Sequence, residues 1–196
     1  MITTAPDSIT KIPSLQGALI NLRPVRPADI RAIARYANDP SVARWVPNLP
    51  HPYTSAHALQ WVRLAKQLAS DAAGYSFGIE HPDSGEIIGM IGLKDVDWTD
   101  RRAEVGYWLA KTMWRRGYME EALGLAARFA FRDLRLHRLT ALVLAPNVGS
   151  ARLLEKVGFR YEGTRRKDCR LRRRWYDVAV YGLLAREWAG PPARRP

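Results

Sequence analysis

The sequence predicts a single domain of the α/β (α+β) class, built around one mixed sheet that is flanked by helices. Its 196 residues fit one domain, and 47% of them are hydrophobic, which is enough to bury a core and excludes a generally disordered chain. Apolar residues recur every two positions in some stretches and every three or four in others, in the order β-α-α-β-β-β-α-β-α-β-β. We expect a loose N-terminal segment over residues 1–16, the domain over residues 17–188 and a loose C-terminal tail over residues 189–196.

The first part of the chain is predicted to hold one strand and two helices. Residues 18–25 have strand character, and Pro27 then begins a helix that ends at residues 38–40, Asn-Asp-Pro. Residues 54–72 form the second predicted helix, because apolar residues recur there at helical spacing: Leu59, Val62, Ala65 and Leu68.

Three predicted strands follow, because the apolar period changes to two. Tyr75, Phe77 and Ile79 alternate with small or polar residues, and residues 81–85 have the composition of a turn. Residues 87–96 are apolar on both faces, as expected of a central strand. Along residues 103–109, one face carries Ala103, Val105, Tyr107 and Leu109, and the other carries Glu104, Gly106 and Trp108.

The second half of the chain contains the clearest helical pattern, over residues 119–134. A strand at residues 139–145 and a helix at residues 150–157, which ends at Gly158, come next. Two further strands, at residues 159–166 and 175–184, bring the number of predicted strands to seven.

The charge of the chain is strongly positive. It carries 31 basic and 19 acidic residues, a formal net charge of +12 at pH 7. Residues 160–174 hold eight basic and two acidic residues and therefore half of this excess, and residues 165–174 are the arginine run. A field of this sign attracts polyanions, which include nucleic acid, phosphorylated cofactors and acidic protein surfaces. Charge alone does not choose among these partners.

Several classes of protein are not indicated. No apolar stretch approaches the roughly 18 residues of a membrane helix, and the N-terminus lacks the basic and apolar regions of a secretory signal. The single cysteine, Cys169, cannot form a disulfide within the chain, and the four histidines show no metal-binding spacing. We therefore expect a cytoplasmic protein that contacts no membrane and binds no metal.

Residues 114–122, Trp-Arg-Arg-Gly-Tyr-Met-Glu-Glu-Ala, lie where a predicted strand gives way to the long helix. The glycine at this point, Gly117, lets backbone N–H groups approach a ligand, and the positive end of the helix favours an anion. Arg115 and Arg116 would reinforce a phosphate site. A plain strand-to-helix turn with two solvated arginines is the alternative that this motif alone leaves open.

Residues 147–159 contain a second pattern, that of a short capped helix. Asn147 is suited to cap its N-terminus and Gly158 its C-terminus. Leu153, Leu154 and Val157 would then face the core. By itself this pattern indicates no function.

These two patterns occur in one chain with several smaller ones, and together they resemble a known family. The sequence resembles the GCN5-related N-acetyltransferase (GNAT) superfamily, and within it the ribosomal-protein N-terminal acetyltransferases of the RimJ/RimL type. The resemblance spans residues 18–188, nearly the whole chain. Its motifs are Leu-Arg-Pro at residues 22–24, Ala-Glu-Val-Gly-Tyr-Trp at 103–108, the segment 114–122, Leu-His-Arg at 136–138, the segment 147–159 and Trp-Tyr-Asp at 175–177.

The resemblance implies a GNAT fold, with a mostly antiparallel sheet splayed between the fourth and fifth predicted strands and acetyl-CoA as co-substrate in the gap. Backbone N–H groups of residues 115–120 would hold the pyrophosphate, and the pantetheine arm would run beside residues 106–109. Glu120 replaces the small hydroxyl residue common at its position, and a carboxylate near the pyrophosphate is unfavourable unless it points away from the phosphates. The implied cofactor-binding residues are Tyr107, Trp108, Leu109, Arg115, Arg116, Gly117, Tyr118, Met119, Glu120 and Asn147.

The resemblance also implies direct transfer of the acetyl group to an amine. Glu104 occupies the position of a general base in some members, although it could instead form a cross-strand ion pair with a basic neighbour. Ser150 matches the serine that hydrogen-bonds the departing CoA thiolate in RimL-type enzymes. Asp168, beside Cys169, is a second candidate for the base.

We therefore expect an acetyl-CoA-dependent N-acetyltransferase that acts on a protein or peptide, most simply on an N-terminal α-amine. The alternatives are a small cationic amine, such as an aminoglycoside or a polyamine, and a non-catalytic RNA- or ribosome-binding module with the same fold. Association with the ribosome and a homodimer are further expectations from the resemblance. We expect the arginine run to steer an acidic acceptor, with the 3′-phosphate of CoA and ribosomal RNA as open alternatives.

Overall fold

The computed structural model describes residues 11–190, and these residues form one mixed sheet in the order β1-β2-β3-β4-β5-β6-β8-β7. Residues 1–10 and 191–196, which include most of the predicted loose ends, lie outside the described residues. The strands are β1 (Leu15–Gln16), β2 (Asn21–Arg23), β3 (Tyr75–Glu80), β4 (Ile87–Asp97), β5 (Arg102–Leu109), β6 (Arg138–Leu144), β7 (Arg160–Leu171) and β8 (Arg174–Leu184).

Helices cover the sheet, and the predicted helical stretches are confirmed. The last turn of the helix predicted at residues 119–134 is π-helical, over Phe129–Asp133, and short 3-10 turns occur at Pro27–Asp29 and Lys111–Met113. The α-helices are α1 (Ile30–Ala37), α2 (Pro40–Ala43), α3 (Ser55–Ser70), α4 (Tyr118–Arg128) and α5 (Val148–Val157).

The sheet is splayed at one place, between β5 and β6. Neighbouring strands are antiparallel throughout the described sheet, except for these two, which run parallel. They are joined only at their first residues, through the pairs Arg102↔Arg138, Ala103↔Leu139 and Glu104↔Thr140. Beyond these pairs the strands diverge and leave a gap. The predicted splay is therefore confirmed.

The sheet has eight strands where the sequence predicts seven. The predicted strand at residues 18–25 is replaced by a small hairpin of β1 and β2, with a turn at residues 17–20. The Glu121 carboxylate on α4 fixes this turn, because it accepts three successive backbone N–H groups at 2.6, 2.7 and 2.9 Å, from Ala18, Leu19 and Ile20. The prediction of a loose segment over residues 1–16 is therefore wrong for the two residues of β1.

The hairpin of β7 and β8 also differs from the prediction. β7 continues to Leu171, beyond the predicted strand at residues 159–166, and Leu171 is its one fully buried residue. Since Leu171 pairs with Arg174, the turn consists of Arg172 and Arg173 alone. Both have positive φ, 47° and 68°, as two-residue hairpin turns require. Because most of β7 is exposed on both faces, the strand shows no sustained apolar alternation that could mark its end.

The core is centred on α4, which lies against one face of the sheet. Phe129 packs edge-on against Tyr75 and Phe77 of β3, with 5.3 Å between ring centroids in each case. A second cluster joins α1 to Ile87 and Met90 of β4. Both faces of β4 are thus covered, which explains why this strand is apolar on both faces.

A buried ion pair fixes the start of the first helical segment to the sheet. The Arg23 guanidinium donates two hydrogen bonds to the Asp29 carboxylate, at 2.8 and 2.9 Å, and its Nε donates to Glu80 at 2.5 Å. Both Arg23 and Asp29 are buried. Hydrogen bonds from Arg23 and from the backbone of Arg26 hold the pKa of Asp29 below its usual value despite burial, which favours the neutral acid.

Candidate active site

The gap between β5 and β6 is a cavity of about 960 Å³. Its walls come from β5, from the segment that leads into α4, from β6 and α5, and from residues 42–48. The cavity brings together every site residue that the sequence predicted: Glu104, Tyr107, Trp108, Leu109, Arg115, Arg116, Gly117, Tyr118, Met119, Glu120, Asn147 and Ser150, together with Asp168.

The start of α4 forms a cradle with the properties of a phosphate site. Gly117 is the N-cap of α4 with φ +81°, and Arg115 before it has φ +62°. The Trp114 indole donates to the Leu109 carbonyl oxygen at 2.8 Å, which fastens the segment to the end of β5. The first N–H groups of any helix lack intrahelical partners, and here they border the cavity beside Arg115 and Arg116. This donor set fits the pyrophosphate of CoA.

Glu120 does not oppose an anion in the cradle, because its charge is already paired. Its Oε2 lies 2.5 Å from Nζ of Lys156 on α5, and both residues line the cavity. The side chain is turned towards this ammonium group.

Tyr107 and Ser150 meet across the gap. The Tyr107 hydroxyl and Ser150 Oγ are 2.7 Å apart, and either can be the donor. Burial raises the pKa of Tyr107 to about 12, and the contact with Ser150 opposes this only partly. Asn147 caps α5, as predicted, by accepting the Ser150 backbone N–H at 3.3 Å. A neutral tyrosine can therefore donate to Ser150, which leaves the serine proton free to point into the cavity.

Glu104 lines the cavity and also forms the cross-strand ion pair that the sequence left open. Its Oε1 lies 2.8 Å from Nζ of Lys94, its register partner on β4. The Glu104 side chain retains 20% exposure and Lys94 retains 47%, so the pair is accessible from the gap. The carboxylate therefore lies within reach of a ligand in the gap, as a general base requires.

Asp168, the second candidate for the base, is more exposed. It contacts Arg165 at 3.4 Å and lines the cavity with its neighbour Cys169. Burial and the Asp168 charge both raise the pKa of the Cys169 thiol. Cys169 is therefore a poor thiolate nucleophile.

The far end of the cavity is formed by residues 42–48 and by the inner face of the β7–β8 hairpin. Trp45, Cys169 and Tyr176 pack here around the buried side chains of Leu144, Leu171 and Val178. The Arg44 guanidinium carbon lies 4.7 Å from the Trp45 ring centroid. This end is therefore an apolar wall with a cationic rim.

Two site residues escaped the sequence interpretation. Lys156 pairs with a residue on another helix, and no local pattern could have indicated the contact. Lys94 could have been found, because cross-strand register places it opposite Glu104 once β4 and β5 are paired.

Neither a metal site nor a membrane helix is found in the part of the chain that the structure describes. Among residues 11–190, no group of three or more His, Cys, Asp and Glu side chains is arranged to hold a metal ion. The prediction that the chain binds no metal stays a prediction. In the same residues, no helix has the length and apolar composition that spanning a membrane requires.

The sequence and the fold were compared with those of known proteins, and the matches are acetyltransferases. Residues 20–160 match the family model for the acetyltransferase (GNAT) domain. The chain is 32% identical to the uncharacterized N-acetyltransferase YoaA of Bacillus subtilis, over 88% of this chain and 97% of that protein. It is 28% identical to the ribosomal protein uS5-alanine N-acetyltransferase of Escherichia coli, over 64% of this chain and 65% of that protein. RimJ from Mycobacterium smegmatis, solved in complex with CoA-disulfide, superimposes with a TM-score of 0.81 at 26% identity, over 88% of this chain and 85% of that one.

The matched residues contain the cradle, the splay and both Glu104 and Ser150. The expectation of an acetyl-CoA-dependent acetyltransferase is confirmed by the family and by relatives named as N-acetyltransferases. The chain belongs to the GNAT acetyltransferase family, as its resemblance to the RimJ/RimL-type enzymes implied.

Proposed function

We propose that this protein transfers the acetyl group of acetyl-CoA to the N-terminal α-amine of a protein or peptide. The observation that carries the proposal is the cavity, in which a phosphate cradle, a carboxylate and a paired hydroxyl border one gap. The relatives named for the alanine of ribosomal protein uS5 and as RimJ support this acceptor class. A cytoplasmic location, association with the ribosome and a homodimer belong to the same proposal.

The cradle would hold the donor. Acetyl-CoA supplies an activated thioester when bound, and the chain supplies its orientation. The N–H groups at the start of α4, with Arg115 and Arg116, would bind the pyrophosphate. The diverging edge of β5 would lie along the pantetheine arm, beside Trp108 and Leu109.

Glu104 would take the proton that an amine must lose before it attacks. A protein α-amine has an ordinary pKa of about 8, so about a tenth of it is already neutral at pH 7. A carboxylate that is shared with Lys94 is then a sufficient acceptor. An alkylamine with a pKa above about 10 is almost fully protonated at pH 7, so the same base would have to remove a more tightly held proton.

Ser150 would donate to the sulfur of the departing thiolate. Tyr107, which burial keeps protonated, would donate to Ser150 Oγ and orient its proton towards the gap. Asn147 would hold the first turn of α5, and with it the serine, at the cavity wall.

The charge of the acceptor end argues against a polyamine or an aminoglycoside. Glu104 is paired with Lys94 and Asp168 with Arg165. Arg44 adds a further cation at the rim. A polyamine or an aminoglycoside carries several positive charges, which unpaired carboxylates would have to bind. An α-amine carries one charge and needs only a single proton acceptor.

The test is release of CoA thiol from acetyl-CoA with three classes of acceptor. Peptides that begin with Ala or Ser, the same peptides with a blocked N-terminus, and a polyamine with an aminoglycoside are compared at equal concentration. We expect turnover only with free N-termini. Faster turnover with the cationic small amines, or equal turnover of the blocked peptides, would refute the proposed acceptor.

Two variants test the base with the preferred peptide. Glu104→Gln should lower kcat/KM about 100-fold at pH 7, and the loss should shrink at higher pH as the amine deprotonates unaided. Asp168→Asn is the matched control and should stay within threefold of the parent. A pH-dependent loss in Asp168→Asn, with Glu104→Gln near full activity, would assign the base to Asp168.

A further inference from the structure

The tip of the β7–β8 hairpin presents a charged surface outside the cavity. We call it the basic tip: Arg170, Arg172, Arg173, Arg174 and Trp175. All five residues are exposed, and none of them lines the gap between β5 and β6. Within residues 11–190, the ion pairs of this hairpin involve other residues, so the four guanidinium groups of the tip are uncompensated.

The tip combines these charges with an exposed aromatic ring. Trp175 is 57% exposed and lies directly across the ladder from Arg170, whose guanidinium carbon is 5.9 Å from the indole centroid. The opposite face of the same hairpin contributes Leu171 and Tyr176 to the apolar cluster that also includes Trp45. The hairpin is thereby anchored, and the indole of Trp175 stays on the outer side with a free face.

The turn at the tip places two arginines in a backbone conformation that disfavours them. Arg172 and Arg173 both have left-handed φ values, 47° and 68°. Asn-Gly satisfies such a turn with far less strain than two arginines do. A residue type that conflicts with its backbone conformation commonly marks a functional position.

We propose that the basic tip binds single-stranded RNA, with its arginines on successive phosphates and Trp175 stacked on a base. The phosphates of RNA would form ion pairs with the uncompensated guanidinium groups, and a nucleobase would stack on the exposed indole. An acidic polypeptide would use the charges but not the ring. The tip adjoins Asp168 and Cys169 at the acceptor end of the cavity, so bound RNA would lie beside the entrance for the acceptor. This inference is independent of acetyl transfer.

The test measures fluorescence anisotropy of a labelled 20-nucleotide polyuridine RNA between 50 and 200 mM salt. The tip variant replaces the four arginines by Gln. The matched control, Arg31→Gln, Arg63→Gln, Lys66→Gln and Arg132→Gln, removes the same charge from exposed positions elsewhere. We expect the tip variant to bind at least tenfold more weakly, with a log–log salt slope smaller by about 2–3. The control should stay within threefold of the parent.

Two further variants separate binding from folding and charge from stacking. Trp175→Ala should weaken RNA binding about tenfold with little change in the salt slope. Arg172→Asn with Arg173→Gly fits the turn better, so it should melt no lower than the parent while binding RNA several-fold more weakly.

Three outcomes would overturn the proposal. The parent could fail to bind the RNA at 50 mM salt, or the tip and control variants could lose affinity equally, which would indicate only diffuse attraction. Alternatively, a 20-residue polyglutamate could compete as well as unlabelled RNA. That result would assign the tip to acidic polypeptides and restore the steering of an acidic acceptor that the sequence suggested.

Discussion

Replacing Lys156 by Met should weaken acetyl-CoA binding by uncovering the carboxylate of Glu120. The two charges are 2.5 Å apart at the edge of the cavity, and Glu120 lies in the first turn of α4, beside the cradle. Two like unit charges about 8 Å apart repel by about 1 kcal/mol at an effective dielectric constant of about 40. The pyrophosphate carries about two charges, but solvent screening is substantial because Lys156 is 55% exposed. We therefore expect a loss of about 1 kcal/mol, roughly a fivefold rise in Kd.

Isothermal titration calorimetry on four proteins tests this reasoning: the parent, Lys156→Met, Glu120→Gln and the double variant. If the lysine acts by masking the carboxylate, its removal costs about fivefold in the parent and almost nothing in the Glu120→Gln background. Glu120→Gln alone should bind acetyl-CoA at least as tightly as the parent. An equal loss in both backgrounds would refute the masking argument, because it would mean that Lys156 contacts the ligand itself.

Three further predictions concern catalysis and stability. Ser150→Ala should lower kcat about 10- to 1,000-fold in the thiol-release assay while the Kd of acetyl-CoA stays within twofold; a kcat within a factor of two of the parent would leave Ser150 as a residue of the first turn of α5 only. Burial raises the pKa of Tyr107 from 10 to about 12, so this group stabilises the fold fully below pH 10 and loses that contribution as the pH rises to 12. Urea unfolding at pH 9, 10.5 and 11.5 should therefore show a smaller decline for Tyr107→Phe than for the parent, and parallel declines would contradict the assignment. Arg23→Met should reduce the free energy of unfolding by about 3–5 kcal/mol, because it leaves the buried Asp29 carboxylate unpaired; a urea-derived loss below about 1 kcal/mol would show that the pair is not essential.

The sequence predicts those elements that have one face in the core. The periods of α3 and β5 are visible because burial selects apolar residues on one side of each. The β1–β2 hairpin is invisible locally, since Glu121, about a hundred residues away, fixes its turn. The end of β7 is equally hidden, because most of this strand is exposed on both faces and carries no sustained apolar alternation.

The site divides in the same way. Gly117 and Asn147 could be identified because backbone geometry at a helix start restricts the residue type. The residues that pair with the site residues could not be identified from the sequence. Lys156, for example, contacts Glu120 only because α4 and α5 pack together. The hydrogen bond between Tyr107 and Ser150 likewise needs the two sides of the gap in place.

The divergence of β5 from β6 leaves the two halves of the sheet incompletely joined by their own backbone. β5 is paired along its length with β4, and β6 with β8, but residues 106–109 and 141–144 have no ladder partner across the gap. Alternate amides in these two stretches should therefore exchange with solvent hydrogen faster than their neighbours, and should slow when the gap is filled. Saturation at about 100 times Kd adds about 2.7 kcal/mol to global stability. The ligand would thus provide partners for the unpaired backbone groups of β5 and β6. The slowing of amide exchange in these strands would therefore measure the fraction of protein that has ligand bound.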